Sequence, residues 1–377
     1  MLALERMGFL VMPITVRKPG SSATGQHVLE ARCRTVYDRS KAIVAATGLC
    51  RLFAMPGAGA AVRALADDFR RLGITIAALK LVYQFLAAAN VAHLLCRHRV
   101  RHLHVHFAHV PGTIGMYAAM MAEVPFTVTA HANDIFEHGV LLREKADRSH
   151  GFLTISHFNV AYLQSLGLPE EKLSVVRCGV SFSPPAVWPH AADKSAYRVG
   201  TLARLVEKKG IDVLLEAVSG MPQVRLSIAG DGPLLNDLKA KAAALGMSDS
   251  VEFIGSLSHE AVADWMADLD IFALACKQDR NGDMDGIPVV LMEAMSQGIP
   301  VISTRLSGIP ELVIDGRTGL LAEPGNALSL RDKLSQMLAS PALRDSLARA
   351  AADHVREEFG QQVNIDRLLR HFAVPAR

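Results

Sequence analysis

Between Tyr197 and Thr304 five short apolar runs, RVGTLA, VRLSIAG, SVEFIG, IFALA and PVIST, alternate with stretches of helical character near Ile211, Leu234, His259 and Pro288; another follows near Ala327. That alternation predicts a parallel sheet wrapped by helices. The runs are apolar in both phases, as strands covered on both faces must be. Ligands of such sheets bind beyond the carboxyl ends of the strands. Gly200, Gly230, Gly232 and Gly255, read as following strands, are therefore expected in loops that come close to a ligand. The first half alternates less cleanly, with strands expected at FLVMPITV, HLHVHFA, FTVTAH, GFLTIS and LSVVRCG. Ser181 to Ser195, with Pro184, Pro185 and Pro189, reads as a linker. The fold class is thus α/β, with two Rossmann-like domains facing a cleft. The expected ranges are 1–182, 183–352 and a closing helical segment, 353–377, whose helix is placed at about Asp353 to Phe372.

With 377 residues, half of them hydrophobic and a fifth charged, the chain can bury two cores and is not a disordered polymer. A formal net charge of +3 gives no case for nucleic acid. Arg97, His98, Arg99, Arg101 and His102 form a local basic cluster, read either as a rim facing anionic lipid or as a solvated helix end. The five cysteines, at 33, 50, 96, 178 and 276, are odd in number and show no paired spacing, which points to a reducing, cytoplasmic setting. Ile74 to Cys96 raises a transmembrane question. Lys80, Gln84, Asn90 and His93 interrupt it, so a buried or partly membrane-facing helix is expected. No signal peptide is visible at the start.

The densest chemical signal is DRNGDMDGIPVVLMEAM, Asp279 to Met295, where Asp285 and Glu293 stand eight positions apart around a Gly-Ile-Pro turn. Pro288 suits the first turn of a helix, because its missing N–H has no partner there. A helix starting at Pro288 aims free N–H groups and the positive end of its dipole at Gly286 and Ile287, a seat for phosphate oxygens. Glu293 lies little more than a turn inside, within reach of hydroxyls beside those phosphates, and Asp285 flanks the other side. One anion seat between two hydroxyl acceptors suits a nucleoside diphosphate-sugar.

That segment resembles the acid-x7-acid motif of the retaining glycosyltransferases of family 4. In the branch that builds bacterial exopolysaccharides such as colanic acid the motif commonly reads EGIPV.LMEAMA, followed by G.PVVST..SGIPELV..G..GLL. Here the continuation is SQGIPVISTRLSGIPELVIDGRTGLLAEPG, Ser296 to Gly325. VHFAHVPGTIGM, FTVTAHANDIF, VGTLARLVEKKGIDVLLEA and LSIAGDGPLL resemble the same family, so the likeness covers nearly the whole chain. It implies a GT-B fold and transfer of a sugar from a UDP- or GDP-sugar to a hydroxyl of a lipid-linked saccharide, with no metal and no separate cofactor. The expected location is cytoplasmic, from the cysteine usage, with the Arg97 to His102 rim offering peripheral contact with the inner face of an anionic membrane. Arg204 and Lys209 would neutralise the leaving diphosphate, Lys208 being the weaker candidate of the adjacent pair. Glu293 would take the ribose hydroxyls; Asp285, with the backbone of Gly286 and Ile287, would take sugar and phosphate. Asp285 is one methylene shorter than the family's usual Glu, which bears on donor preference. His131 matches a histidine that approaches the transferred sugar, and Asn133 and Asp134 are read as loop-shaping, acceptor-side or helix-capping residues.

Family members open with a strand, a loop often containing SETF and a helix ending ALERxGHEV. This chain begins MLALERMGFLV, so its first domain is expected to lack that strand and loop, through a late start or as an inactive copy. Two rival readings follow: a non-catalytic nucleotide-binding remnant and a nucleotide-sugar 2-epimerase. Other motifs fail. GSSATGQ, Gly20 to Gln26, has phosphate-loop spacing but Gln26 and His27 where Lys and Ser or Thr are needed. Asn281, Asp283 and Asp285 begin like a calcium loop whose twelfth place falls on Met292. His102, His104 and His106 alternate on one strand, yet nothing completes a zinc set.

Overall fold

The computed structural model describes residues 1–17, 32–137, 139–181 and 194–373. The GSSATGQ segment and most of the proline-rich linker lie outside these. The chain forms two compact units that interleave along the sequence, in contrast to the contiguous ranges expected: one holds Met1–Thr154, Val160–Val176 and the residues from Ile365 onward, the other Ile155–Asn159 and Arg177–Asn364.

In the first unit β1 (Ile14–Thr15) and β2 (Arg34–Thr35) make a two-stranded parallel pair. The eight-residue strand expected at FLVMPITV is therefore reduced to two residues. A second parallel sheet runs in the order β3 (Leu103–His106), β4 (Phe126–Ala130), β5 (Gly151–Thr154), β6 (Leu173–Val175). β4 and β5 are buried at every position, as interior strands of a covered parallel sheet are. The helices are α1 (Leu2–Arg6), α2 (Lys41–Leu52), α3 (Ala58–Leu72), α4 (Ile76–Arg97), α5 (Val110–Ala122), α6 (Leu142–Arg148) and α7 (His157–Ser165).

Helix α4 is the one helix among the described residues long and apolar enough to cross a membrane. Here it is a core helix capped by Thr75, whose hydroxyl accepts from Ala78 N, with Leu81, Phe85, Val91 and Leu95 buried. The polar Asn90 within it is satisfied inside the unit: it donates to Val44 O at 2.9 Å and accepts from Arg51 at 2.7 Å.

His102, just before β3, and His104 within it enter a chain of hydrogen bonds. Ala373 N donates to His102 Nδ1 at 3.2 Å; His102 Nε2 lies 3.0 Å from Thr127 Oγ1, which lies 2.8 Å from His104 Nδ1, and His104 Nε2 lies 3.3 Å from Thr129 Oγ1. Because His102 Nδ1 accepts, its proton sits on Nε2 and goes to Thr127; the Thr127 proton then goes to His104 Nδ1, leaving Nε2–H for Thr129. The chain closes only with both rings neutral. Phe372 stacks on His102 at 4.5 Å, and burial lowers His102 to about 4 and holds His104 well below its usual value. Both folded values lie under the unfolded value of about 6.5, so this stability is complete above pH ~6.5 and is lost as pH falls from there toward 4. The urea midpoint of the first unit is expected to drop between pH 7.5 and pH 5, and to drop less in His104→Gln. An equal drop in both would remove His104 from the account.

The second unit has a six-stranded parallel sheet built from β7 (Tyr197–Leu202), β8 (Val224–Ala229), β9 (Val251–Gly255), β10 (Ile271–Ala273), β11 (Val301–Thr304) and β12 (Leu320–Ala322), ordered β12-β11-β10-β7-β8-β9. The expected runs are all present; β12 is an additional strand. Its helices are α8 (Ile211–Val218), α9 (Leu235–Ala244), α10 (His259–Ala267), α11 (Val289–Ser296), α12 (Ile309–Leu312), α13 (Ala327–Leu338) and α14 (Pro341–Glu358); α15 (Gln361–Leu369) begins in this unit and belongs to the first from Ile365 onward. The closing helix expected over 353–372 is two helices, broken at Gly360 where the chain bridges to Val180. The strand order reverses between β7 and β10, a topological switch point whose carboxyl end is where a ligand crevice forms.

Candidate functional site

Two loops meet at that switch point. After β7 the chain passes Arg204, makes a 3-10 turn over Glu207–Lys209 and enters α8 through Gly210. Gly210 has φ +62°, and a Cβ there would lie 1.8 Å from Ala275 O, so only glycine lets this turn sit against the strand-end segment after β10. Lys277 N donates to Lys208 O at 2.9 Å, which ties the two loops together. Lys208 and Lys209 are thereby carried to the loop that follows β10.

There they meet carboxylates. Lys209 Nζ is 2.6 Å from Asp285 Oδ2; Lys208 Nζ is 2.7 Å from Asp283 and 3.5 Å from Asp285 Oδ1. The Cys276 thiol, wholly buried, donates to Asp285 Oδ2 at 3.3 Å. Asp285 is therefore held by two cations and a thiol. Burial works against the Lys208 charge, but its hydrogen bond to Asp283 and the field of Asp285 outweigh this and raise its pKa. Burial, reinforced by Asp285, pushes the Cys276 thiol well above its usual value, so it stays protonated as a donor. Lys208, set below its neighbour in the sequence reading, is as much part of the cluster as Lys209. Arg204 is exposed at the end of β7 and makes no ion pair among the described residues.

Beyond Asp285 the chain turns through Gly286, Ile287 and Pro288, all buried, into α11. The helix begins at Val289, not Pro288: the proline has φ −65° as its ring demands, but ψ 123° leaves it as the N-cap. The N–H groups of Gly286, Ile287, Val289 and Val290 donate to no described backbone acceptor, and with the dipole of α11 they form a mouth suited to an anion. Glu293, partly buried, projects from the second turn of α11. The SGIPEL loop closes on this mouth: a Cβ on Gly308 would fall 2.9 Å from the Ile287 side chain.

Of the glycines expected in loops near a ligand, Gly200 instead lies inside β7, where a Cβ would fall 2.3 Å from Leu269, and Gly255 is the last residue of β9, whereas Gly230 and Gly232 do sit in a loop, after β8. Gly230 has φ +121°, and a Cβ on it would strike Ala203 O at 1.9 Å; one on Gly232 would meet Leu205 O at 2.5 Å. Both let the loop after β8 press on the Arg204 loop, a contact sealed by Leu205 N donating to Asp231 O at 2.9 Å. They shape the loop that carries Arg204.

His131 lies in the first unit, at the end of β4. Its backbone N donates to Asp134 Oδ2 at 2.9 Å, and Ala108 N donates to the same oxygen at 2.9 Å. The fully buried Asp134 thus pins the loop after β3 to the loop after β4, the loop-shaping role. Asn133 donates to Glu137 within a π-helical turn, Asn133–Glu137. The His131 ring packs 4.9 Å from that of Phe107, and burial, only partly offset by Asp134, lowers its pKa, so the ring is neutral near pH 7.

Sequence reasoning missed Cys276 and undervalued Lys208. A lone cysteine closing the apolar run IFALAC was the available signal for the first. For Lys208 there was none, because its partner Asp283 lies 75 residues away.

Two family models cover most of the chain: Glycosyltransferase Family 4 over residues 33–184, and Glycosyl transferases group 1 over 185–354. The chain belongs to these glycosyltransferases. Among curated relatives it is 37% identical over 218 residues to the putative colanic acid biosynthesis glycosyltransferase WcaL of Escherichia coli, covering 56% of this chain and 53% of that protein. It is 34% identical over 243 residues to the amylovoran biosynthesis glycosyltransferase AmsK of Erwinia amylovora, covering 62% of this chain and 60% of that protein. The matches thus span little more than half of these relatives' lengths. Among solved structures, Anabaena HepE in complex with UDP and glucose aligns with a TM-score of 0.64 at 20% identity, over 75% of this chain and 80% of that one. The two parallel-sheet α/β units are of the GT-B type.

Proposed function

We propose that the protein is a retaining glycosyltransferase that moves a sugar from a UDP- or GDP-sugar to a hydroxyl of a lipid-linked saccharide at the cytoplasmic face of the membrane, in exopolysaccharide biosynthesis. The observation that carries this reading is the pair Lys208 and Lys209 brought beside the mouth of α11, with Glu293 inside that helix. The diphosphate would settle on the free N–H groups of Gly286 and Ile287 and draw Lys209 from Asp285, while exposed Arg204 swings onto it. Glu293 accepts from the ribose hydroxyls. As the bond from sugar C1 to the diphosphate oxygen breaks, the growing charge falls on these cations. The acceptor oxygen then bonds C1 from the same face, and its proton passes to the departing phosphate oxygen. Lysines, arginine and helix mouth supply the positive charge, so the step calls for no metal. Neutral His131 is proposed to donate a hydrogen bond to the transferred sugar. Asp285, released by Lys209, would accept from sugar hydroxyls, its short arm fixed by Cys276.

Relatives support the polysaccharide part of this reading: WcaL and AmsK are named for colanic acid and amylovoran biosynthesis, and the HepE structure holds UDP and glucose. The test is a panel of UDP- and GDP-sugars given to the protein with EDTA and a lipid extract. One nucleotide sugar is expected to lose its nucleotide and label the lipid, with the anomeric configuration of the donor kept. Release of nucleotide from none of them would sink the enzymatic reading; an inverted product would sink the retaining one.

A further inference from the structure

Helix α6 carries a lysine in the core of the first unit. Lys145 is wholly buried, and lysine is among the residues least often found so unless it is paired. Its stem runs along the bare backbone of α5, where a Cβ on Gly112 would lie 3.5 Å from Lys145 Cδ and 3.6 Å from Cε. Among the described residues its one hydrogen bond runs from Nζ to Val140 O, at 2.6 Å. Three acids act on this ammonium: Asp134, Glu144 and Asp68. Two of them are answered by other cations, Glu144 by Arg71 at 2.6 Å and Asp68 by Arg148, which it shares with the Tyr117 hydroxyl. Asp134 is fully buried and pairs with no described Lys or Arg side chain. Its Oδ2 accepts from Ala108 N and His131 N, whereas Oδ1 accepts no hydrogen bond from a described residue and lies 3.8 Å from His109 Nδ1. A buried carboxylate needs a counter-charge, and Lys145 is the cation placed to supply it. The segment that leaves His131 is thus held twice, by Asp134 near its start and by the grip of Lys145 on Val140 O near its end.

We propose that Lys145 is a positioning residue for sugar transfer: its ammonium balances Asp134 and holds Val140 O, which keeps His131 in place at the end of β4. That His131 meets the sugar rests on the function proposed above; the tie itself lies within the first unit. The same burial makes the tie sensitive to pH. Burial works against the Lys145 charge and, although Asp134, Glu144 and Asp68 favour it, lowers the pKa to about 7. As pH rises through that value the ammonium is lost and Asp134 keeps its charge without an answer.

The tie is tested without substrate, by following the amide NMR signal of Ala108, the other donor to Asp134 Oδ2, from pH 6 to pH 9. A step with its midpoint at about 7 is expected in the unaltered protein and absent from Lys145→Met. In transfer, Lys145→Met is expected to lower kcat by about tenfold or more at pH 6.5, with the donor KM little changed, and to abolish the fall that the unaltered enzyme shows toward pH 8.5. Lys145→Met/Asp134→Asn leaves no unbalanced charge and keeps one oxygen for both N–H groups, so it should recover most of the loss. A loss of packing alone would not be recovered in this way. An Ala108 step that persists in Lys145→Met, or a Lys145→Met enzyme with the kcat and pH profile of the unaltered one, overturns the proposal. Normal turnover by His131→Ala, beside an Ala108 step lost in Lys145→Met, overturns the part given to His131 and not the tie.

Discussion

Lys209→Ala is expected to cut sugar transfer by about 10²–10³-fold, the loss typical of removing one preorganised donor to a charge that develops in the transition state. Lys209 rests on Asp285 at 2.6 Å before any substrate arrives, so it is held close to the mouth of α11 and has only to shift from that carboxylate to the diphosphate. Its removal should fall mainly on kcat. Glu293→Ala removes a proposed ground-state contact to the ribose as well, so its loss should appear in both KM and kcat/KM. Lys208 provides the internal comparison. It sits 3.5 Å from Asp285 but is drawn to Asp283 at 2.7 Å, so it replaces Lys209 poorly. Lys208→Ala/Lys209→Ala should be slower than Lys209→Ala alone. Steady-state transfer with the donor found by the panel measures all of these, and near-normal turnover in both Lys209→Ala and Glu293→Ala would refute the assignment of the site.

Much of this arrangement was legible because it follows from local rules. Most of the runs from Tyr197 onward became strands buried on both faces, the exception being β9 at the sheet edge, which is partly buried with Glu252 exposed, and the helices near Ile211, Leu234, His259, Pro288 and Ala327 formed within a residue of the positions read. Proline fixes φ but not ψ, and that is why α11 starts one residue late. What was not legible depends on partners distant in sequence. FLVMPITV has strand composition, yet a strand exists only as far as another pairs with it, and Arg34–Thr35 pairs with two residues. The break at Gly360 comes from Val180 N donating to Phe359 O and Gln361 N to Val180 O, contacts that helical periodicity cannot anticipate. β12 is three residues long, held in register by Ile302, Ser303 and Thr304 of β11, and too short to stand out as a run. Within the site, the Asp285–Glu293 spacing was visible, but the capture of Asp285 by two lysines and Cys276 depends on the crossover from β7 to β10.

The second large effect concerns stability. Asp68→Ala is expected to destabilise the first unit by about 3–5 kcal/mol, the usual cost of breaking a buried ion pair from one side. Asp68 is fully buried on α3, accepts two hydrogen bonds from Arg148, at 2.6 and 2.7 Å, and a third from the Tyr117 hydroxyl at 2.5 Å. Burial and the bond to Asp68 hold the Tyr117 phenol well above its usual pKa, so it remains a donor at all ordinary pH values. One carboxylate therefore joins α3, α5 and α6. Without it the fully buried Tyr117 hydroxyl is left with no acceptor and the partly buried Arg148 guanidinium with no counter-charge, which costs more than the lost contacts themselves. Asp68→Asn, which keeps one oxygen, should lose less. Asp68→Leu/Arg148→Met, which removes both charges, should recover much of the deficit. Because the two units have separate cores, the shift should appear in the urea transition of the first unit and leave that of the second in place. A loss under about 1 kcal/mol for Asp68→Ala would put the pair in the class of solvent-screened surface bridges and exclude it as the tie among the three helices.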